Sequence, residues 1–367
     1  MRRALPTILA IGLLWAPGAA AQGIAPEGFV GISPQGTPTA GDYELMQLAD
    51  VESVRLPIYW WVIEPQPANL YSPDWSSFDS EVALAAEHHM RVFPFVIGTP
   101  EWAAPFPTAE PVESGLQRFA WSRFLADAAR RYGPGGEFWQ ENPGLPRLPI
   151  RKWEIWNEEN IVTFSHHPSP TRFAQLIRVS GRILHREDPG SQVIVGGFFG
   201  RPLQVPPNIY SGDFLSGIYR AGDVKRFFDG IALHPYVAQA GAMRGEIVNL
   251  RRVMRVHHDA ATPLYVTELG WGSDSFESRW ERGWQGQARE LDRAFEMLTV
   301  NRRRWRIGGA WWFSLADLNN ACQFCDSAGL LTLSREAKPS WYAFNEWTGG
   351  DAETVARASA PASAIAR

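Results

Sequence analysis

The sequence predicts a single-domain (β/α)8 (TIM) barrel of the α/β class, and three observations carry that expectation. Short apolar runs alternate with longer amphipathic ones from about residue 28 onward. There are eight such runs, spaced about 40 residues apart, which suits one strand–helix unit of a parallel barrel. No linker divides the body of the chain, so one domain is expected to fill residues 22–348.

The apolar runs place strands at 29–33, 53–59, 91–97, 152–157, 193–197, 230–236, 264–268 and 307–313. Apolar residues recur at helical spacing over 119–131, 171–186, 213–221, 246–258 and 285–300. The Gly/Pro-rich segment 133–149 precedes the fourth strand, so it belongs on the N-terminal face as a structural connection. Segments 198–211 and 316–328 follow the fifth and eighth strands and are expected to wall a cleft at the opposite mouth.

Both termini read differently from the body. Arg2 and Arg3, a mostly apolar stretch over 4–16 and the small residues Ala19, Ala20 and Ala21 read as a signal peptide ending at residue 21. The chain is therefore expected to be secreted or periplasmic. No later run approaches 18 apolar residues, so no membrane span is expected. Residues 349–367 are mostly Ala, Ser, Gly and Arg without a hydrophobic period, and are expected to form a flexible tail.

Composition excludes several classes. At 45% hydrophobic and 20% charged, the chain is neither disordered nor fibrous. Thirty-five Lys and Arg against 39 Asp and Glu, a net charge of -4, leave no basic surplus to grip nucleic acid or an anionic membrane. The two cysteines, Cys322 and Cys325, are spaced C-x-x-C. In an exported chain a local disulfide is expected, and no second pair exists to complete a four-cysteine zinc site. So short a loop gains little entropic stabilisation, and its expected job is to hold one loop in shape.

The chemistry gathers at one end of the strands. The second strand reads Arg55-Leu-Pro-Ile-Tyr59-Trp60-Trp61, and the third leads to Glu101 and Trp102. The fourth gives Glu154-Ile-Trp156-Asn157-Glu158-Glu159, the sixth His234-Pro-Tyr236, the seventh Thr267-Glu268-Leu-Gly270-Trp271, and the eighth Trp311-Trp312-Phe313. Glu158 and Glu268 lie 110 residues apart, about three βα units, and would enter one mouth from nearly opposite walls. Glycosidic cleavage needs such a pair: one carboxylic acid to protonate the leaving oxygen, one carboxylate to attack the anomeric carbon. Arg55 favours the ionised form of a neighbouring carboxylate, and Tyr236 can donate to the same group. His234 and Tyr236, two apart, share a strand face.

At these residues the chain resembles the retaining glycoside hydrolases of clan A, in particular glycoside hydrolase family 39 and its relatives in family 5. The resemblance covers nearly the whole barrel and is most specific at Trp156-Asn157-Glu158 and Thr267-Glu268-Leu269-Gly270. It implies Glu158 as general acid/base, Glu268 as nucleophile, and Asn157 on the sugar 2-hydroxyl. Arg55 and Tyr236 would orient Glu268, while His234 and Trp312 or Trp311 would line the subsite at the cleaved bond. A carbohydrate, with β-linkage favoured, is the implied substrate, and the reaction needs neither cofactor nor metal. Those families have proline after the acid/base glutamate, whereas Glu159 follows here. The extra carboxylate would raise the pKa of Glu158 if the two approach. A transglycosylase would use the same pair, and a sugar-binding barrel without turnover is the alternative from another class.

Other features weigh less. Seventeen tryptophans could stack on sugar rings, with Trp60, Trp61, Trp102 and Trp271 near strand ends, although tryptophan is mostly a buried residue. The pairs His88-His89, His166-His167 and His257-His258 lack metal-ligand spacing. Glu154 reads as a packing or ion-pair residue inside the fourth strand.

Overall fold

In a computed structural model the described residues are 25–70, 72–201, 205–274, 278–319 and 324–350. The expected signal peptide lies outside them, as do Cys322 and most of the expected tail. Among them, no helix is long and apolar enough to cross a membrane.

All eight expected strands form: β1 (Val30–Ile32), β2 (Ser53–Tyr59), β3 (Arg91–Ile97), β4 (Lys152–Ile155), β5 (Gln192–Phe199), β6 (Gly230–His234), β7 (Leu264–Leu269) and β8 (Ile307–Trp312). They pair in parallel in chain order, and Gly31 opposite Trp311 closes the barrel between β1 and β8. The predicted helices also form, mostly longer than the apolar period alone indicates. The helix Gly115–Tyr132 begins four residues early because Ser114 and Gln117 make a capping box, each side chain taking the other's backbone N–H. The helix Pro170–Glu187 starts on Ser169, with proline in the first turn where its missing donor costs nothing. It buries Phe173, Leu176, Ile177, Ser180 and Leu184, a stripe at helical spacing that covers the barrel wall.

Alternation along the strands sorts the barrel interior into layers. A lower layer of Phe93, Ile194, Ala232, Tyr265 and Trp311 packs as one cluster. Above it lies a polar layer of Arg55, Glu154, His234 and Thr267, all fully buried. The candidate site sits on top of that layer. A barrel interior filled in tiers of side chains is a packed core, so only its upper end is available to a ligand.

The same alternation corrects the reading of strand eight. Trp311 points inward but too deep: it packs 5.0 Å from the Phe93 ring and donates to Ser53 Oγ. Trp312 points outward, fully buried between Trp271 (6.0 Å) and Phe295 (6.4 Å), and donates to the Ala328 carbonyl. Neither lines the cavity that holds Glu158 and Glu268; Phe313 does. Because Trp312 fills wall rather than cleft, Trp312→Ala should cost about 3–5 kcal/mol of stability. Urea unfolding should show this as a lowered midpoint at unchanged m, and a cost under about 1 kcal/mol would contradict the packing.

Candidate active site

Glu158 and Glu268 project into one cavity of about 430 Å3 at the C-terminal mouth. Its walls are mainly aromatic, from Tyr59, Trp61, Phe95, Phe199, Tyr236, Phe313 and Phe324. Phe199 and Phe324 come from the two segments expected to wall a cleft. Trp61 reaches over the end of β3 because residue 98 is glycine at φ +88°, where a Cβ would collide with the indole. Asn157 and Glu158 turn into the mouth just beyond β4, where Trp156 and Glu158 adopt left-handed φ of 72° and 45°. Non-glycine residues hold such angles only where the surroundings over-determine them. In β7 the register against β8 shifts between Val266 and Leu269, so consecutive Thr267 and Glu268 both reach the polar interior.

Ligand-type oxygens of Glu158 and Glu268 and a ring nitrogen of His234 lie within 4.8 Å of one another. Glu268 is held from two sides. Arg55 Nη1 donates to its Oε1 at 2.7 Å and the Tyr236 hydroxyl to its Oε2 at 2.8 Å. Arg55 also clamps Glu154 through Nε (2.7 Å) and Nη2 (3.1 Å), and donates to Asn157 Oδ1 (2.8 Å) and Ser33 Oγ (3.3 Å). Glu154 is thus the ion-pair residue its position suggested. With Asn157 Oδ1 occupied, its Nδ2 is the atom left to donate.

Glu158 has no cation against it. Its Oε1 lies 2.8 Å from His234 Nδ1. Burial and the charge of Glu268 push its carboxyl well above the usual carboxylate range. Burial raises Glu268 too, but Arg55 and Tyr236 oppose the rise. His234 is held well below its ordinary value by burial and by Arg55, so the ring is neutral. Two carboxylates in one cavity therefore occupy unlike surroundings.

Several expected contacts change. His234 does not line the cavity; it lies fully buried one layer below and touches Glu158 instead. Trp102 packs edge-on against Trp60 and donates to the Glu64 carbonyl, away from the cavity. Trp60 and Trp271 are buried as well. The missed wall residues, Phe95, Phe313, Phe199 and Phe324, carried one usable signal: Phe313 shares the inward face of strand eight with Trp311. Glu158, His234 and Glu268 are also the one three-residue group among the described residues with ligand atoms this close. Their atoms already engage Arg55, Tyr236 and each other, and the adjacent guanidinium opposes a second cation.

Glu159 is excluded from the cavity. It is fully buried with both carboxylate oxygens unpartnered, and burial, then the nearby Glu110, push it well above the usual carboxylate range. An acid raised in the folded state binds its proton more tightly there, so its contribution is present at low pH and lost as pH climbs from the ordinary carboxylate value towards the raised one. Glu159→Gln should remove that loss. The variant's melting temperature relative to wild type should be higher at pH 8 than at pH 5, and an equal difference at both would count against a buried protonated Glu159.

Neither a protein-family model nor a curated protein sequence matches this chain. Solved structures do resemble it in fold. A family 39 glycoside hydrolase from Bacteroides cellulosilyticus WH2 superposes with a TM-score of 0.60 at 20% identity, over 86% of this chain and 62% of that one. A monomeric β-xylosidase from Caulobacter crescentus CB15 gives 0.63 at 17%, over 88% and 69%. A GH5_18 structure from Bifidobacterium longum subsp. infantis gives 0.61 at 14%, over 88% and 78%. The chain thus spans less than two thirds of the length of the first of these. Its barrel is similar to those of glycoside hydrolases of families 39 and 5.

Proposed function

We propose that this protein is an exported retaining glycoside hydrolase acting on an uncharged, β-linked sugar. One observation carries the reading: two carboxylates face each other across an aromatic cavity within 4.8 Å, one clamped by a cation and one not. Retaining glycosidases hold their pair about 5–5.5 Å apart, while inverting ones leave about 6.5–9.5 Å for a water. Glu268, whose ionised form Arg55 and Tyr236 favour, attacks the anomeric carbon and forms a glycosyl ester. The bond to the leaving oxygen breaks as that oxygen takes the proton of Glu158. Glu158, now a carboxylate, then removes a proton from water, whose oxygen displaces Glu268 from the anomeric carbon. No step requires a cofactor or a metal.

The sugar class follows from the walls. Among the described residues lining the cavity, the two glutamates are the sole charged side chains, so no cation among them pairs with a uronate carboxylate. Aromatic faces suit the C–H faces of a sugar ring, and a xylosidase and an exo-β-1,4-mannosidase are among the structural neighbours. Export rests on the N-terminal sequence alone.

Aryl β-glycosides with a poor leaving group should lose about 10²–10⁴-fold in kcat on Glu158→Ala, and Glu268→Ala should be at least as severe. Azide should rescue Glu268→Ala and yield a glycosyl azide of inverted configuration. Near-normal turnover by either variant, or inversion by the wild type seen by proton NMR, would sink the proposal. Turnover on the wild type should be bell-shaped in pH, because the reaction needs Glu268 ionised and Glu158 protonated.

A further inference from the structure

The polar layer beneath the cavity contains two residues without a part in the chemistry above, Glu154 and Thr267. Both are fully buried. The Thr267 hydroxyl donates to Glu154 Oε1 at 3.1 Å, and His234 Nε2 lies 3.0 Å from the same hydroxyl oxygen. On its other side His234 Nδ1 meets Glu158 Oε1 at 2.8 Å. Four side chains thus form one line of contacts running from the Arg55–Glu154 ion pair to Glu158.

We propose that Glu154 and Thr267 are positioning residues that fix His234 as its Nε2–H tautomer, so that before substrate binds the bare Nδ1 accepts the acid proton of Glu158 in a hydrogen bond that opens when the leaving oxygen takes that proton. The argument is a count of protons, and it rests on the reading of Glu158 as acid/base. Glu154, clamped by Arg55, offers only acceptor oxygens to Thr267. Thr267 has one hydroxyl proton, and an ion-paired carboxylate takes it in preference to an imidazole nitrogen because the bond is charge-assisted. The Thr267 oxygen is then free only to accept, so the proton of the neutral ring sits on Nε2. The nitrogen facing Glu158 carries none. A contact of 2.8 Å between that nitrogen and a carboxyl oxygen needs a proton between them, and Glu158 is its source.

The surroundings leave little room for a substitute. Gly197, at φ +74°, is where β5 presses on the line: a Cβ there would lie 2.8 Å from Glu154 Oε1 and 3.0 Å from His234 Nε2. The charged and titratable groups that act on Glu158 or bond to it are Arg55 from β2, Glu154 from β4, His234 from β6 and Glu268 from β7. Tyr236 follows β6 and bonds to Glu268, and Glu159 is the adjacent residue. Of these, His234 is the one within hydrogen-bond reach of Glu158, so its tautomer decides whether Glu158 meets an acceptor or a donor.

The test is Thr267→Val, which keeps the shape and removes the hydroxyl, beside Thr267→Ser, which restores it. Without the hydroxyl, Nε2–H loses its acceptor and the ring proton moves to Nδ1. There it donates to Glu158 and favours the ionised carboxylate. The basic limb of the kcat/KM profile on an aryl glycoside should move about one pH unit towards acid, the size expected from one hydrogen bond. Thr267→Ser should leave that limb in place, whereas a merely structural role would lower activity at every pH without moving it. A second readout needs no turnover: 15N NMR of histidine-labelled protein, with His234 assigned by difference from His234→Gln. It should show the proton on Nε2 in wild type and on Nδ1 in Thr267→Val. A wild-type ring protonated at Nδ1, or an unmoved basic limb in Thr267→Val, overturns the proposal. If no glycoside is turned over at all, the glycosidase reading fails while the NMR result still decides the tautomer.

Discussion

One guanidinium holds the upper end of this barrel together. Arg55 is completely buried, and each of its five N–H donors has an acceptor: two on Glu154 and one each on Glu268, Asn157 and Ser33. Its guanidinium carbon also lies 4.0 Å from the Phe95 ring centre. Taking a cation and its carboxylates out of water costs several kcal/mol per ion, and only close geometry with every donor matched offsets that cost. The planar fork of arginine can span three strands in this way, whereas a lysine would present a point charge. Because the side chain has no freedom left, the carboxylates it touches have none either.

That constraint makes two chemically identical residues unlike. Glu268 sits on the side of the cavity that Arg55 reaches and receives a second donor from Tyr236. Glu158 sits beyond it, against a histidine that burial and Arg55 keep neutral. The difference between the two carboxylates therefore arises largely below the cavity, in the fully buried layer that holds Arg55 and His234. Electrostatics of the floor, with Tyr236 added from the wall, favour the two roles proposed for them.

Volume alone would have chosen the wrong end of the molecule. A larger space of about 760 Å3 opens at the N-terminal mouth, beside Glu52, Arg91, Lys152 and Trp311. Arg91, Arg151 and Lys152 line it together with Glu27 and Glu52, and the packed tier of Phe93, Tyr265 and Trp311 separates it from the polar layer. The smaller C-terminal cavity is where strand ends deliver converging polar groups. Its aromatic walls are built chiefly from phenylalanine and tyrosine, with Trp61 the single tryptophan among the described lining residues. Most of the other tryptophans near strand ends, Trp60, Trp271, Trp311 and Trp312, are buried packing elements.

The order of strands and helices was legible in the sequence because hydrophobic period is a local property, written residue by residue. So was the convergence of Glu158, Glu268 and Tyr236 on one mouth, since the C-terminal end of a strand in a parallel barrel has only one mouth to face. Depth was not legible. Whether an inward residue sits in the wall, the floor or the tier below depends on the stagger of neighbouring strands and on irregularities such as the register shift near Glu268 and the left-handed turn at Glu158. A shift of one residue exchanges inside for outside, which is why Trp312 faces the helices and Phe313 the cavity. The link from Glu154 through Thr267 to His234 belongs wholly to the tertiary structure: it joins strands four, six and seven, across as many as 113 residues of chain, and no local pattern records it.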